Sequence, residues 1–149
     1  MRAARNTVEM RKQAEAPTIL VVEDEWLVRT VAADYLRDCG YRVVEADNGE
    51  EAVTILRTDV HIDVVFTDVH MPGSVDGFGL AKWVRRERPG LRVILTSGFT
   101  QTAHDAGVLF EDGPLVAKPY DYQEIEDRIR TLLPPASTFE ANASSPRDS

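Results

Sequence analysis

Cysteine is nearly absent from the chain. Cys39 stands alone among 149 residues, so no internal disulfide can form, as suits a reducing compartment. The three histidines, His61, His70 and His104, fall in separate loops without ligand spacing, which argues against a histidine zinc site. No apolar run approaches the roughly 20 residues of a membrane span, and no charged n-region backed by an apolar h-region opens the chain. These absences predict a cytoplasmic protein with no membrane contact. Positive charge is also in deficit. With 17 basic against 25 acidic side chains the net charge is −8, which argues against nucleic acid as the main partner. An acidic balance suits instead a site where carboxylates gather around a cation. Internal repeats are missing, and the length fits one domain.

What is present alternates. "TILVVE" (18–23) is a short apolar run with β-branched residues, suited to a strand buried on both faces. Over 26–37, Leu27, Val31 and Tyr35 recur at helical spacing. "YRVVEA" reads as a second strand, after which Asp47 or Asn48 caps a helix carrying Ala52, Val53, Ile55 and Leu56. "IDVVFTD" is a third strand, and 77–88 a third helix with Leu80, Ala81 and Val84 inward, ended by "RPG". "LRVILTS" and "PLVAK" are the fourth and fifth strands. Between them "FTQTAHDAGVLFEDG" has Thr, Gly and Asp where a sturdy helix wants better formers, so a weak fourth helix is predicted. The last helix runs over 121–133, with Ile125, Ile129 and Leu132 on one face. Five strands alternating with five helical segments mean βαβ units and a parallel sheet covered on both sides. The polar stretch 1–16 reads as a mobile extension, and 134–149, rich in Ser, Pro and Ala, as a disordered tail. The folded domain then spans 17–133.

In an open α/β sheet, sites form beyond the carboxyl ends of the strands. Glu23, Asp24 and Glu25 follow the first strand, Asp68 the third, Thr96 and Ser97 the fourth, and Lys118-Pro119 the fifth. The second contributes nothing distinctive, as fits an edge position. Carboxylates sharing one mouth repel, and a hard cation held by oxygen ligands compensates them. That donor set describes Mg2+ better than a transition metal. Asp68 can then act as a nucleophile, since carboxylates form aspartyl phosphates. Lys118 offers a point charge to a phosphoryl oxygen and Ser97 a hydroxyl. Thr96 competes with Ser97 for that role; counting along the strand favours Ser97, with Thr96 facing the helix layer.

"ILVVEDEWLVR", "VVFTDVHMPG…DG", "VILTSG" and "LVAKP" resemble, in order and spacing, the signature blocks of the response-regulator receiver domain of two-component signalling. The resemblance covers about 18–133. It implies a flavodoxin-like, doubly wound, five-stranded parallel sheet in the order 2-1-3-4-5. It implies that Asp68 is the phosphoacceptor, that Asp24 binds Mg2+ directly and Glu23 through water, and that the backbone carbonyl of His70 is a further metal ligand. Ser97 takes the conserved hydroxyl position and Lys118 the invariant lysine. The expected partner is a sensor histidine kinase or a histidine phosphotransferase. Receivers present the first helix and the loop after the fifth strand to that donor, so Trp26, Pro119 and Tyr120 become contact residues. Trp26 could equally pack down onto its own domain. Departures from the pattern are also visible. The loop "GSVDG" is one residue longer than the commonest form. Leu115 stands where an aromatic usually swings inward, which weakens the usual switch. His70 and Phe99 flank the mouth, where bulk would slow loss of the phosphoryl group to water.

The resulting expectation is a single-domain response regulator, monomeric or weakly dimeric. It catalyses its own phosphotransfer and dephosphorylation rather than metabolic turnover. Its signal leaves by protein contact, as relay intermediate, phosphate sink or diffusible regulator. One rival is a binding module that keeps the fold without phosphorylation. Another is a Mg2+-dependent phosphohydrolase, which would want a second carboxylate two residues past Asp68, where His70 stands. A nucleotide-binding flavodoxin-like protein would want a Gly-rich loop after the first strand, and none follows.

Overall fold

A computed structural model of the protein describes residues 16–97, 116–118 and 121–133. The predicted extension, the weak fourth helix, the tail, and the residues Phe99, Leu115, Pro119 and Tyr120 lie outside the described residues. Strands β1 (Thr18–Val22), β2 (Arg42–Ala46), β3 (Val64–Asp68), β4 (Arg92–Ser97) and β5 (Val116–Ala117) form one sheet in the order β2-β1-β3-β4-β5. Every neighbouring pair is parallel. The four described helices are α1 (Trp26–Asp38), α2 (Gly49–Leu56), α3 (Gly77–Glu87) and α4 (Tyr122–Leu132).

The unbroken apolar runs of β1 and β3 follow from burial on both faces. Ile19, Val21, Val64, Phe66 and Ile94 join Ala32 and Leu36 of α1 and Ile125 and Ile129 of α4 in one cluster. Leu20, Val22, Val65, Val93 and Leu95 join Ala52 and Leu56 of α2 and Leu80, Ala81 and Val84 of α3 in the other. The inward faces predicted for α2, α3 and α4 are the faces that pack. On α1 the spacing misleads. Leu27 and Val31 point to solvent, 59% and 44% exposed, and the buried residues are Ala32, Ala33 and Leu36. Ala32, Ala33 and Leu36 fill the face of α1 turned to the sheet and Tyr35 packs at its edge, which leaves Leu27 and Val31 outside.

Asn48, not Asp47, caps α2: its side chain accepts from the Glu51 amide at 2.7 Å. The Glu51 carboxylate returns to the Asp47 amide at 2.8 Å, so both ends of the first turn are tied. Asp76 caps α3 through the Gly79 amide and Asp121 caps α4. No helix among the described residues is long and apolar enough to cross a membrane.

Where β3 hands over to α3 the backbones nearly touch. A Cβ on Gly77 would lie 2.3 Å from the Asp68 carbonyl oxygen and 2.6 Å from the Val69 Cα, whereas one on Gly90 meets nothing within 4 Å. Gly77→Ala must therefore push α3 off the strand end and should cost about 2 kcal/mol or more in chemical denaturation. Gly90→Ala, at a negative φ, should leave stability almost unchanged.

Candidate functional site

The carboxyl ends of β1, β3 and β5 bring an ammonium group between two buried carboxylates. Lys118 Nζ lies 3.2 Å from Glu23 Oε1 and 3.2 Å from Asp68 Oδ2. Glu23 and Asp68 are 3% and 6% exposed, while Asp24 beside them faces solvent. Glu23, Asp24 and Asp68 each place a carboxylate oxygen within 4.8 Å of the others. Three carboxylates against one ammonium leave two negative charges at one mouth, and hard oxygen donors so arranged fit a divalent cation such as Mg2+.

Electrostatics carry the same message. Burial, then the Asp68 charge, push the Glu23 carboxyl above the usual carboxylate range, although Lys118 pulls the other way. Burial alone would lower the Lys118 ammonium, but the charges of Asp68 and Glu23 outweigh it and raise it. Lys118 is therefore a firmly held cation, and ionising Glu23 costs more here than in water.

Short backbone links set these positions. The Glu23 amide donates to the Ala46 carbonyl at 3.1 Å, fixing the acidic turn against β2. The Val69 amide donates to the Thr96 carbonyl at 2.9 Å, and the Lys118 amide to the Ser97 carbonyl at 3.0 Å. Lys118 thus follows β5 in register with the end of β4. Thr96, paired opposite Asp68, and Ser97 are both fully buried hydroxyl residues at that end. His70 lies exposed just past the strand, and Trp26 stands 66% exposed at the start of α1. Most of the Trp26 surface is thus open to solvent rather than packed onto the domain.

Sequence reading missed the braces. Arg29 donates to the Glu23 carbonyl at 2.8 Å and pairs with Glu45 at 3.3 Å, while Arg37 takes the other Glu45 oxygen at 3.1 Å. An arginine on a surface helix looks solvated in sequence; only its spacing, one and a half turns past the acidic pair, hints otherwise. A cleft of about 640 Å³ opens at the other end of the sheet. Its polar groups are already engaged: His61 with Asp63, Asp63 with the Thr18 amide, and Arg88 with the Leu56 carbonyl.

This geometry can be set beside known proteins. The family model described as "Response regulator receiver domain" matches residues 19–130. The chain belongs to the response regulator receiver family. The receiver is 37% identical over 115 residues to the "Probable transcriptional regulator ycf27" of Cyanophora paradoxa, covering 77% of this chain and 47% of that protein. It is 30% identical to the "Transcriptional regulatory protein ResD" of Bacillus subtilis, covering 90% of this chain and 55% of that protein. It therefore spans about half the length of the curated relatives it matches. Among solved structures, the receiver domain of the hybrid histidine kinase CckA is 36% identical with a TM-score of 0.65, covering 78% of this chain and 99% of that one. The response regulator TrrA of Thermotoga maritima, in complex with Mg2+-BeF, is 29% identical with a TM-score of 0.70, again covering 78% and 99%.

A carboxyl raised on folding binds extra protons in the native state, so its contribution makes stability fall as pH rises from about 4.5 through the raised value. In metal-free protein at neutral pH, Glu23→Gln should accordingly raise the melting midpoint. The advantage should vanish below pH about 4, where the wild-type carboxyl is protonated in both states. Melting curves across that range measure it.

Proposed function

We propose that this receiver accepts a phosphoryl group on Asp68 from a phosphohistidine of a sensor histidine kinase or histidine phosphotransferase, with Mg2+ bound by Glu23, Asp24, Asp68 and the His70 carbonyl. The observation that carries the reading is the position of Lys118, 3.2 Å from both Asp68 and Glu23 at a mouth with two surplus negative charges. A bound Mg2+ supplies charge neutralisation for the phosphoryl oxygens. A carboxylate oxygen of Asp68 attacks phosphorus as the bond to the donor imidazole breaks and its electron pair stays on nitrogen. Lys118 then exchanges its Asp68 contact for a phosphoryl oxygen, and Ser97, with Thr96 beside it, donates a hydroxyl to another. Water later attacks the same phosphorus and regenerates the carboxylate, with His70 and Phe99 limiting its approach. Leu115, lacking an aromatic lever, favours relay or sink roles over a strongly switched output.

The domain proper is 17–133, cytoplasmic, monomeric or weakly dimeric, and acts by protein rather than nucleic-acid contact, in keeping with a net charge of −8. The names of the curated relatives favour a second reading, in which the same phosphorylation controls transcription. That reading requires phosphorylation-dependent binding of promoter DNA by the intact native protein, and the first requires none.

Incubation with acetyl phosphate and Mg2+ should add one phosphoryl mass to the wild type and none to Asp68→Asn. Equal labelling of both would refute Asp68 as acceptor. Trp26, Pro119 and Tyr120 form the proposed donor contact, and the exposure of Trp26, two residues past Asp24, supports it. Trp26→Ala should slow transfer from a phosphorylated histidine phosphotransferase domain about tenfold or more, the scale of an aromatic anchor. Labelling by acetyl phosphate should not change. Undiminished transfer from the protein donor would remove Trp26 from the interface.

A further inference from the structure

The loop between β3 and α3 is closed at its neck, where the Gly77 amide donates to the Val69 carbonyl at 2.8 Å. Met71 is buried in the apolar cluster beneath it and Val75 packs against the same cluster, while Pro72, Gly73 and Ser74 between them are exposed. Glu50, in the first turn of α2, ties this exposed tip: its Oε2 accepts from the Ser74 amide at 2.7 Å and from the Ser74 hydroxyl at 2.7 Å. Bonds to an ionised acceptor are the stronger kind. The approach depends on glycine twice. Gly73 sits at φ +99°, and a Cβ there would lie 2.8 Å from Glu50 Oε1. A Cβ on Gly49 would lie 2.2 Å from the Val75 carbonyl oxygen, so the start of α2 abuts the loop directly. Glu51 already completes the cap of α2, which leaves the neighbouring carboxylate available to the loop.

We propose that Glu50 is a positioning residue: by anchoring Ser74 it fixes the loop that carries the His70 carbonyl, and so sets how tightly the site takes up a divalent cation. The inference rests on the Mg2+ reading above. Glu50 touches none of the reacting groups and acts only through the loop. The Ser74 hydroxyl first, and then the Ser74 amide, hold the Glu50 carboxyl below the usual carboxylate range, which agrees with an anchor charged at neutral pH.

Calorimetric titration of the full chain with Mg2+ tests the proposal. Glu50→Ala should weaken binding roughly tenfold, while Glu50→Gln, which keeps an oxygen acceptor for both Ser74 donors, should stay within about twofold of wild type. Ser74→Ala leaves every charge in place and should weaken binding in the same direction. Amide hydrogen exchange on metal-free protein supplies a second readout. Residues 70–75 should exchange faster in Glu50→Ala and not in Glu50→Gln, with melting midpoints matched to wild type. Equal losses in the Gln and Ala variants would mean that bulk charge, not anchoring, governs affinity, and would overturn the proposal. Unchanged affinity or unchanged exchange in Glu50→Ala would overturn it as well. Should the wild type take up no Mg2+, the functional reading falls and this inference with it. Should it bind Mg2+ and all variants bind alike, only this inference falls.

Discussion

The ammonium of Lys118, held between the carboxylates of Glu23 and Asp68, is the interaction on which the site depends. Burying two carboxylates this close is unfavourable unless opposite charge answers them, because desolvation and mutual repulsion act together. One ammonium answers only part of that charge. The remainder, with Asp24 added at the rim, fits a divalent cation, and in the proposed reading the phosphoryl oxygens such a cation stabilises.

The sheet exists, from this viewpoint, to hold that arrangement still. β1 and β3 lie side by side, buried on both faces; Glu23 directly follows the one and Asp68 ends the other. β5 is only two residues long, yet its pairing with β4 carries the Lys118 amide to the Ser97 carbonyl and aims the side chain inward. Around this frame run polar braces. Arg29 and Glu45 lock the acidic turn to β2, and Glu50 holds the loop beyond Asp68. On the opposite flank, the Tyr41 hydroxyl donates to the buried Glu126 carboxylate at 2.9 Å, and Arg130 pairs with the same group, joining α4 to the turn before β2. Burial and the bond to Glu126 push the Tyr41 phenol far up, so it stays a donor throughout the physiological range.

Strands buried on both faces announce themselves, since runs such as Ile19 to Val22 and Val64 to Phe66 leave water only when both sides of the sheet are covered. Acidic and basic residues at strand ends were legible for the same reason: a charge terminating an apolar run needs a partner. The α1 face was not. Leu27, Val31 and Tyr35 share a helical repeat, yet of the three only Tyr35 turns toward the core, its ring tilted against that of Tyr122 at 5.2 Å. The buried face is filled by Ala32, Ala33 and Leu36, a set that volume alone does not pick out. The Glu50–Ser74 and Arg29–Glu45 contacts were invisible because they join residues far apart in sequence whose types are ordinary on any surface.

The most direct test of the central claim is a crystal structure grown with Mg2+ and beryllofluoride, which mimics a phosphoryl group on a carboxylate. A fluoroberyllate on Asp68, a metal ion held by the acidic cluster, and the Lys118 amine moved onto a fluorine are expected. An unmodified Asp68, still bridged by Lys118 with no ion beside it, would overturn the phosphoacceptor reading.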